Sequence, residues 1–195
     1  MSPDPAAASR RELPGGISTP LEASASWSRL PQNAMACSHD QAGREHSRPL
    51  WPGTTFVLTG RVWAFDTKRP LPGVVLDIWH VDMREQYSDG VKDLRNRGRV
   101  VSSEMGAYEV ESIRPIPYRP NPSGSPDFWR CAHFHLLAVR PGYKPLVTEI
   151  HFKDDPKKPD PMYRPENAIA VERHTVNGKG FETGVFDIVL EPDAK

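Results

Sequence analysis

Apolar and polar positions in this chain alternate in short runs and do not recur at helical spacing. Over 54–65 the run TTFVLTGRVWAF is β-branched and aromatic and reads as a strand, with Gly60 marking a bulge. A turn over 66–73 leads to a second strand over 74–82. There Val75, Asp77, Trp79 and Val81 share one face, and Val74, Leu76, Ile78 and His80 the other. These two strands are expected to pair like a hairpin. Residues 83–105 are charged and irregular, and read as a long loop. Further strands are predicted over 107–113, 130–139, 146–152 and 181–190, and a short helix over 166–174 behind Pro165. Proline-studded or charged stretches at 114–126 and 154–168 separate them. The pattern predicts an all-β fold: a β-sandwich of mostly antiparallel strands, with long loops gathered at one end.

Composition narrows this picture. The 195 residues suit one domain with a sizeable core, and 21 prolines with 14 glycines fit short strands and many turns. Residues 1–50, rich in Ser, Ala, Pro and Gly without a sustained period, read as a flexible N-terminal arm. Trp27 and Leu30 are its two aliphatic-aromatic spots, and residues 51–195 are expected to form the folded domain. Lys plus Arg and Asp plus Glu both number 25, so no nucleic-acid or membrane-surface partner is advertised. No apolar run approaches the ~20 residues of a spanning helix, and Arg10 and Arg11 lack the apolar stretch of a secretory signal. Two cysteines in unlike contexts, Cys37 and Cys131, make no disulfide framework, which favours a reducing, cytoplasmic setting.

The candidate chemistry starts from the strand RCAHFHLLAV over 130–139. Side chains alternate faces, so His133 and His135 point the same way and Phe134 the other. Two imidazoles side by side on a rigid strand make half of a metal site. Taken alone, the same pattern fits two solvated histidines on a polar strand face. Other segments have to supply the remaining ligands.

Several ordered blocks carry a resemblance. They are Gly60-Arg61-Val62, the run PLPGVVLDIWHVD over 70–82 with Tyr87, Gly106-Ala107-Tyr108, Arg114-Pro115-Ile116-Pro117-Tyr118, the run WRCAHFH over 129–135, and Thr148-Glu149-Ile150-His151-Phe152. In this order, over roughly 54–190, the chain resembles the intradiol ring-cleavage dioxygenases. The resemblance implies a non-haem ferric ion, Fe(III), held by Tyr87, Tyr118, His133 and His135. It also implies a catecholic substrate cleaved by O2 between its two hydroxyl-bearing carbons to a muconate-type diacid. Phenolates suit this metal, because ferric iron is a hard, highly charged acid that favours anionic oxygen and ionises phenols whose free pKa is ~10. Tyr118 is expected to leave the metal when substrate chelates. Arg130 is expected to stabilise negative charge developing on the substrate. Trp79 and Trp129 are expected in the core first and on the pocket wall second, with Tyr108 and Tyr143 as packing residues.

The departures fall close to the expected site. Glu149 stands where the family usually has glutamine, and is expected to repel an anionic catechol, pair with Arg130 or act as a base. His80, Cys131 and His151 also depart from the usual residues. In length the chain is similar to a protocatechuate-type subunit or a short single-domain relative, and a homodimer is the assembly expected. Two other readings stay open. One is a non-catalytic transthyretin-like or carbohydrate-binding sandwich, which shares the early strand pattern. The other is an intradiol-type enzyme acting on a larger catechol in a biosynthetic pathway.

Overall fold

The computed structural model describes residues 53–88, 95–121, 123–124, 127–155 and 160–193. All of them fall within residues 32–195, one of two units into which the chain divides. The expected arm, with Trp27, Leu30 and Cys37, lies outside the described residues.

The described residues form ten strands: β1 (Thr55–Ala64), β2 (Val75–Trp79), β3 (Arg97–Val101), β4 (Ala107–Ile113), β5 (His133–Val139), β6 (Leu146–Phe152), β7 (Ala168–Ile169), β8 (Glu172–Val176), β9 (Lys179–Val185) and β10 (Ile188–Leu190). They form two five-stranded sheets. In the first, β1 lies between β4 on one edge and, on the other, β9 along its first half and β10 along its second; β8 extends β9. The second runs β3-β2-β5-β6-β7. Pairings of β1 with β9, β1 with β10 and β6 with β7 are parallel and the others antiparallel, so the sheets are mixed.

The core between the sheets is built by alternation. Phe56 and Leu58 of β1 meet Leu76 and Ile78 of β2, Phe134 and Leu136 of β5, and Ile150 and Phe152 of β6, all fully buried. Phe56 is the hub of an aromatic trio, with its ring 5.4 Å from Phe152 edge-on and 5.7 Å from Phe134. Aromatic edge-to-face contact adds about 0.5–1.5 kcal/mol per pair beyond area burial. Because Phe134, Leu136 and Ala138 take the inner face of β5, His133 and His135 are turned to the outer face of the second sheet.

Several expectations are corrected. The strands β1 and β2 do not pair; they face one another across the core in different sheets. Pro70 and Pro72 lack the N–H a ladder needs, and the contact between the two arms stops at the Trp63–Pro70 bridge. Gly60 is no bulge, since β1 pairs with β4 without interruption from Thr55 to Arg61. A Cβ at Gly60 would run into the Phe186 carbonyl, so glycine permits close approach where the chain steps from β9 to β10. That step at Phe186 and Asp187 splits the predicted last strand in two. Phe186 N–H donates to Thr59 O at 2.9 Å, and Asp187 Oδ1 accepts from Arg61 N–H at 2.8 Å.

The expected loop at 83–105 contains β3, antiparallel to β2. Its alternating arginines mimic a solvated loop but face buried Asp77, with Arg97 Nη2 at 3.0 Å and Arg99 Nε at 3.4 Å from Asp77 Oδ2. The expected helix over 166–174 is only a 3-10 turn, Pro165–Asn167. Ala168 and Ile169 are drawn into the sheet beside β6, and 172–176 pairs with β9. Trp79 is not a core residue: it lies on the outer face of β2, while its neighbour His80 points inward and is buried. Tyr108 is packed as expected, its hydroxyl donating to Phe186 O at 2.6 Å.

Candidate metal centre

The outer face of the second sheet carries two registered rows. Trp79, His135 and Glu149 lie side by side across β2, β5 and β6, and His133 lies opposite His151. Trp79 stacks on the His135 ring at 5.0 Å with an 11° interplanar angle, and Arg97 covers the other indole face at 4.8 Å. This three-layer stack fixes the plane of the His135 imidazole.

Two loop segments bring tyrosines over this face. A backbone bridge between Tyr118 and Arg130, with N–H to O distances of 3.1 and 2.9 Å, pins Tyr118 beside the entry to β5. Tyr87 follows a tight turn in which Asp82 Oδ1 accepts from the N–H groups of Arg84 and Gln86. Glu85 takes a left-handed φ of 64° in that turn, and its carboxylate accepts from Arg119 N–H at 3.1 Å. The Tyr87 loop is thereby tied to the segment next to Tyr118.

Four donor atoms meet there. Tyr87 Oη is 2.8 Å from Tyr118 Oη, 3.0 Å from His135 Nε2 and 3.5 Å from His133 Nε2, and the two Nε2 atoms are 3.2 Å apart. His133 Nδ1–H donates to Cys131 O at 2.7 Å, which leaves the Nε2 lone pair facing the cluster. Tyr118 and His133 are buried, whereas Tyr87 is 40% exposed and directs its hydroxyl inward.

The electrostatics suit ligands waiting for a cation. Burial lowers the His133 pKa, and burial followed by the nearby imidazoles takes His135 to about 2, so both rings are neutral in neutral solution. Burial also raises both phenols: Tyr118 adds to the rise at Tyr87, while the hydrogen bond from Tyr87 and the Arg130 charge partly oppose it at Tyr118. Without a cation the tyrosines are therefore neutral phenols.

Arg130 reaches the same face. Its Nη2 donates to Glu149 Oε2 at 2.6 Å and its Nε to Asp160 Oδ2 at 3.0 Å. Burial works against its charge, but the Glu149 hydrogen bond together with the charges of Glu149, Tyr118 and Asp160 outweighs it, so its pKa is raised. Of the roles expected for Glu149, the structure displays the pairing with Arg130. Glu149 Oε1 is also 3.8 Å from both His133 Nε2 and His135 Nδ1.

Three residues here carry no role in the sequence reading, although His151 stands among its departures. His151 is fully buried, with Nε2 3.5 Å from Glu149 Oε2 and, among the described residues, no hydrogen-bond partner for either ring nitrogen. Together His133, Glu149 and His151 form a second metal-competent cluster, and it shares His133 with the four-donor set. The Glu149-x-His151 spacing on β6 repeats the His133-x-His135 spacing on β5, a signal that was there to be found. Asp155 and Asp160 accept from the backbone N–H of Ala132 and Cys131, and so fasten the start of β5. Nothing in their proline-rich surroundings signals that role.

A groove of about 510 Å³ lies against Trp63 and Tyr108 of the first sheet. A smaller one of about 330 Å³, touching Ile116, Pro117 and Ala132, runs beside the segments that carry Tyr118 and His133.

A family profile described as "Dioxygenase" matches residues 30–192. The chain is 32% identical over 158 residues to a chlorocatechol 1,2-dioxygenase of Rhodococcus opacus, covering 72% of this chain and 61% of that protein. It is 30% identical over 173 residues to a catechol 1,2-dioxygenase of Pseudomonas sp. strain EST1001, covering 75% and 56%. The chain thus spans about three-fifths of the length of these two relatives. Among solved structures, a catechol 1,2-dioxygenase from Acinetobacter sp. ADP1, inhibited by bound mercury, superposes with a TM-score of 0.65 at 27% identity, covering 77% of this chain and 56% of that one. A 3-chlorocatechol 1,2-dioxygenase from Rhodococcus opacus 1CP shares the fold, with a TM-score of 0.67 at 22% identity over 89% of this chain and 78% of that one. Among the described residues, no helix is long and apolar enough to cross a membrane.

Proposed function

The chain belongs to the intradiol ring-cleavage dioxygenases, and from that membership we propose that it is a non-haem Fe(III) enzyme opening a catecholic ring between its two hydroxyl-bearing carbons with O2. The observation that carries the proposal is the meeting of two phenol oxygens and two imidazole nitrogens: Tyr87 Oη lies 2.8–3.5 Å from the other three donors, and the two Nε2 atoms are 3.2 Å apart. Donors bonded to one ion at about 2.0–2.1 Å lie roughly 3 Å apart, so the spacing fits a shared metal. The donor set fits ferric iron in particular: two phenolates offset much of its charge, and neutral imidazoles complete a hard, oxygen-rich site. Tyr87, Tyr118, His133 and His135 would hold it.

When bound, the ferric ion supplies the Lewis acidity that takes both catechol oxygens and activates the ring toward O2. The residues around it then divide the work. Tyr118 Oη meets the donor set through Tyr87 Oη, and we assign it as the ligand that would give way to substrate and would take up a catechol proton. His133 is held by Cys131 O and His135 by the Trp79 stack, so both would keep their orientation as ligands. Arg130 presents its guanidinium edge to the substrate side and hydrogen-bonds oxygen as negative charge builds there, with Glu149 fixing its orientation. A muconate-type diacid is the product. Residues 51–195 act as the catalytic domain in a cytoplasmic homodimer.

A non-catalytic sandwich gives no reason for four donors to meet on one sheet face. The test is oxygen uptake and product mass on a catechol panel under labelled O2. Ring-opened diacids carrying both labelled atoms support the proposal; no uptake by iron-loaded protein overturns it.

A further inference from the structure

Arg130 stands between two carboxylates, and together the three groups carry a formal charge of minus one. Asp160 is the inner partner: its side chain is fully buried, Oδ2 accepts from Arg130 Nε and Cys131 N–H, and Oδ1 accepts from Met162 N–H at 2.8 Å. Glu149 is the outer partner, with a side chain 17% exposed. Its Oε1 lies 3.8 Å from both imidazoles of the candidate centre. A molecule chelating an ion held by His133 and His135 therefore binds next to this carboxylate. Two of the Arg130 N–H donors are committed to Asp160 and Glu149, so the guanidinium keeps its directional donors while its charge is already offset. Arg97 and Arg99 of β3 share the one carboxylate of Asp77, and Trp79 stands between Arg97 and His135.

We propose that Glu149 is the specificity-determining residue of this site, admitting catechols with neutral or cationic ring substituents and rejecting those that carry a carboxylate. The inference rests on the proposed function and names the substrate class for it. Like charges brought together in a partly buried site repel far more than in bulk water, and nearby desolvated cations are the usual remedy. Here the nearest cation is shared out before substrate arrives. A substituent ammonium or hydroxyl instead gains an acceptor at Glu149.

The experiment is anaerobic binding to the iron-loaded full chain, read by calorimetry and by the change in visible absorption, with no turnover. The probes are three size-matched catechols bearing a para aminomethyl, hydroxymethyl or carboxylate group. The wild type is expected to bind the carboxylate about tenfold or more weakly than the hydroxymethyl compound, about 1.4 kcal/mol. It should bind the ammonium at least as tightly as the hydroxymethyl compound. In Glu149→Gln the carboxylate gap should close to within about threefold, a loss of roughly 0.7 kcal/mol or more of discrimination. The wild-type series decides even if that variant does not fold. Equal affinity for all three compounds, or an unchanged gap in Glu149→Gln, overturns the inference alone. Binding of none overturns the proposed function and this inference with it.

Discussion

His80 should make this protein sensitive to mild acid, and the size of the effect follows from its surroundings. The ring is buried at 1% exposure just past the end of β2, edge-on to Phe134 at 5.0 Å. Its nitrogens lie 2.7 Å from Val81 O and 2.8 Å from Ser112 Oγ, so a neutral imidazole donates from Nδ1 and accepts at Nε2. Burial, the largest cause, lowers its pKa from 6.5 to about 4. A folded-state pKa below the unfolded value means that the unfolded chain takes up a proton the native chain resists. The stabilisation from neutral His80 is therefore complete above pH 6.5 and is lost as pH falls toward 4. Between pH 7.5 and 4.5 the loss amounts to about 2.5 kcal/mol, since a tenfold difference in proton affinity between the folded and unfolded chain is worth about 1.4 kcal/mol. Urea unfolding of metal-free wild type and His80→Gln, run side by side across that range, isolates this contribution. The wild type should lose about 2–3 kcal/mol more than the variant, whose amide does not titrate there. Parallel losses in the two proteins would refute the assignment of acid sensitivity to His80. Trp79 immediately precedes His80 in the chain, so acid should also loosen the stack that holds His135.

Other consequences are as direct. Iron loading must ionise phenols whose pKa is raised by burial, while the histidines are already neutral, so about two protons should leave per ion. Affinity should then rise with pH, and calorimetry in buffers of different ionisation enthalpy counts the protons; release of none would show that the tyrosines are not ligands. Phe134→Ala removes a ring from the trio with Phe56 and Phe152 and should cost about 3–5 kcal/mol, read as a lowered urea midpoint. Because Phe134 lies between His133 and His135, the same variant should weaken iron binding.

Much of the fold was legible because single-period strands carry it. The alternation of Phe134 with His133 and His135 sets one face to the core and the other to the site, and β4 and β6 have the bounds that their patterns predict. Where the reading failed, partners distant in sequence had changed what a residue meant. Arg97 and Arg99 look like loop residues until Asp77 is placed beneath them. Glu172 and Arg173 read as helix until β9 supplies a ladder, with Glu182 3.1 Å from Arg173 Nε. The ligand candidates were visible through an ordered resemblance, since neither tyrosine announces itself locally. Asp155 and Asp160 were not visible at all, because their role lies in the backbone N–H groups they accept from.

The central claim is that two phenolates and two imidazoles share one ferric ion. The visible spectrum of the iron-loaded protein tests it most directly. The wild type should be coloured by phenolate-to-iron charge transfer, with Tyr87→Phe and Tyr118→Phe each shifting or weakening the band and the double variant colourless. A colourless wild type that holds stoichiometric iron, or a double variant that keeps the band, would contradict it.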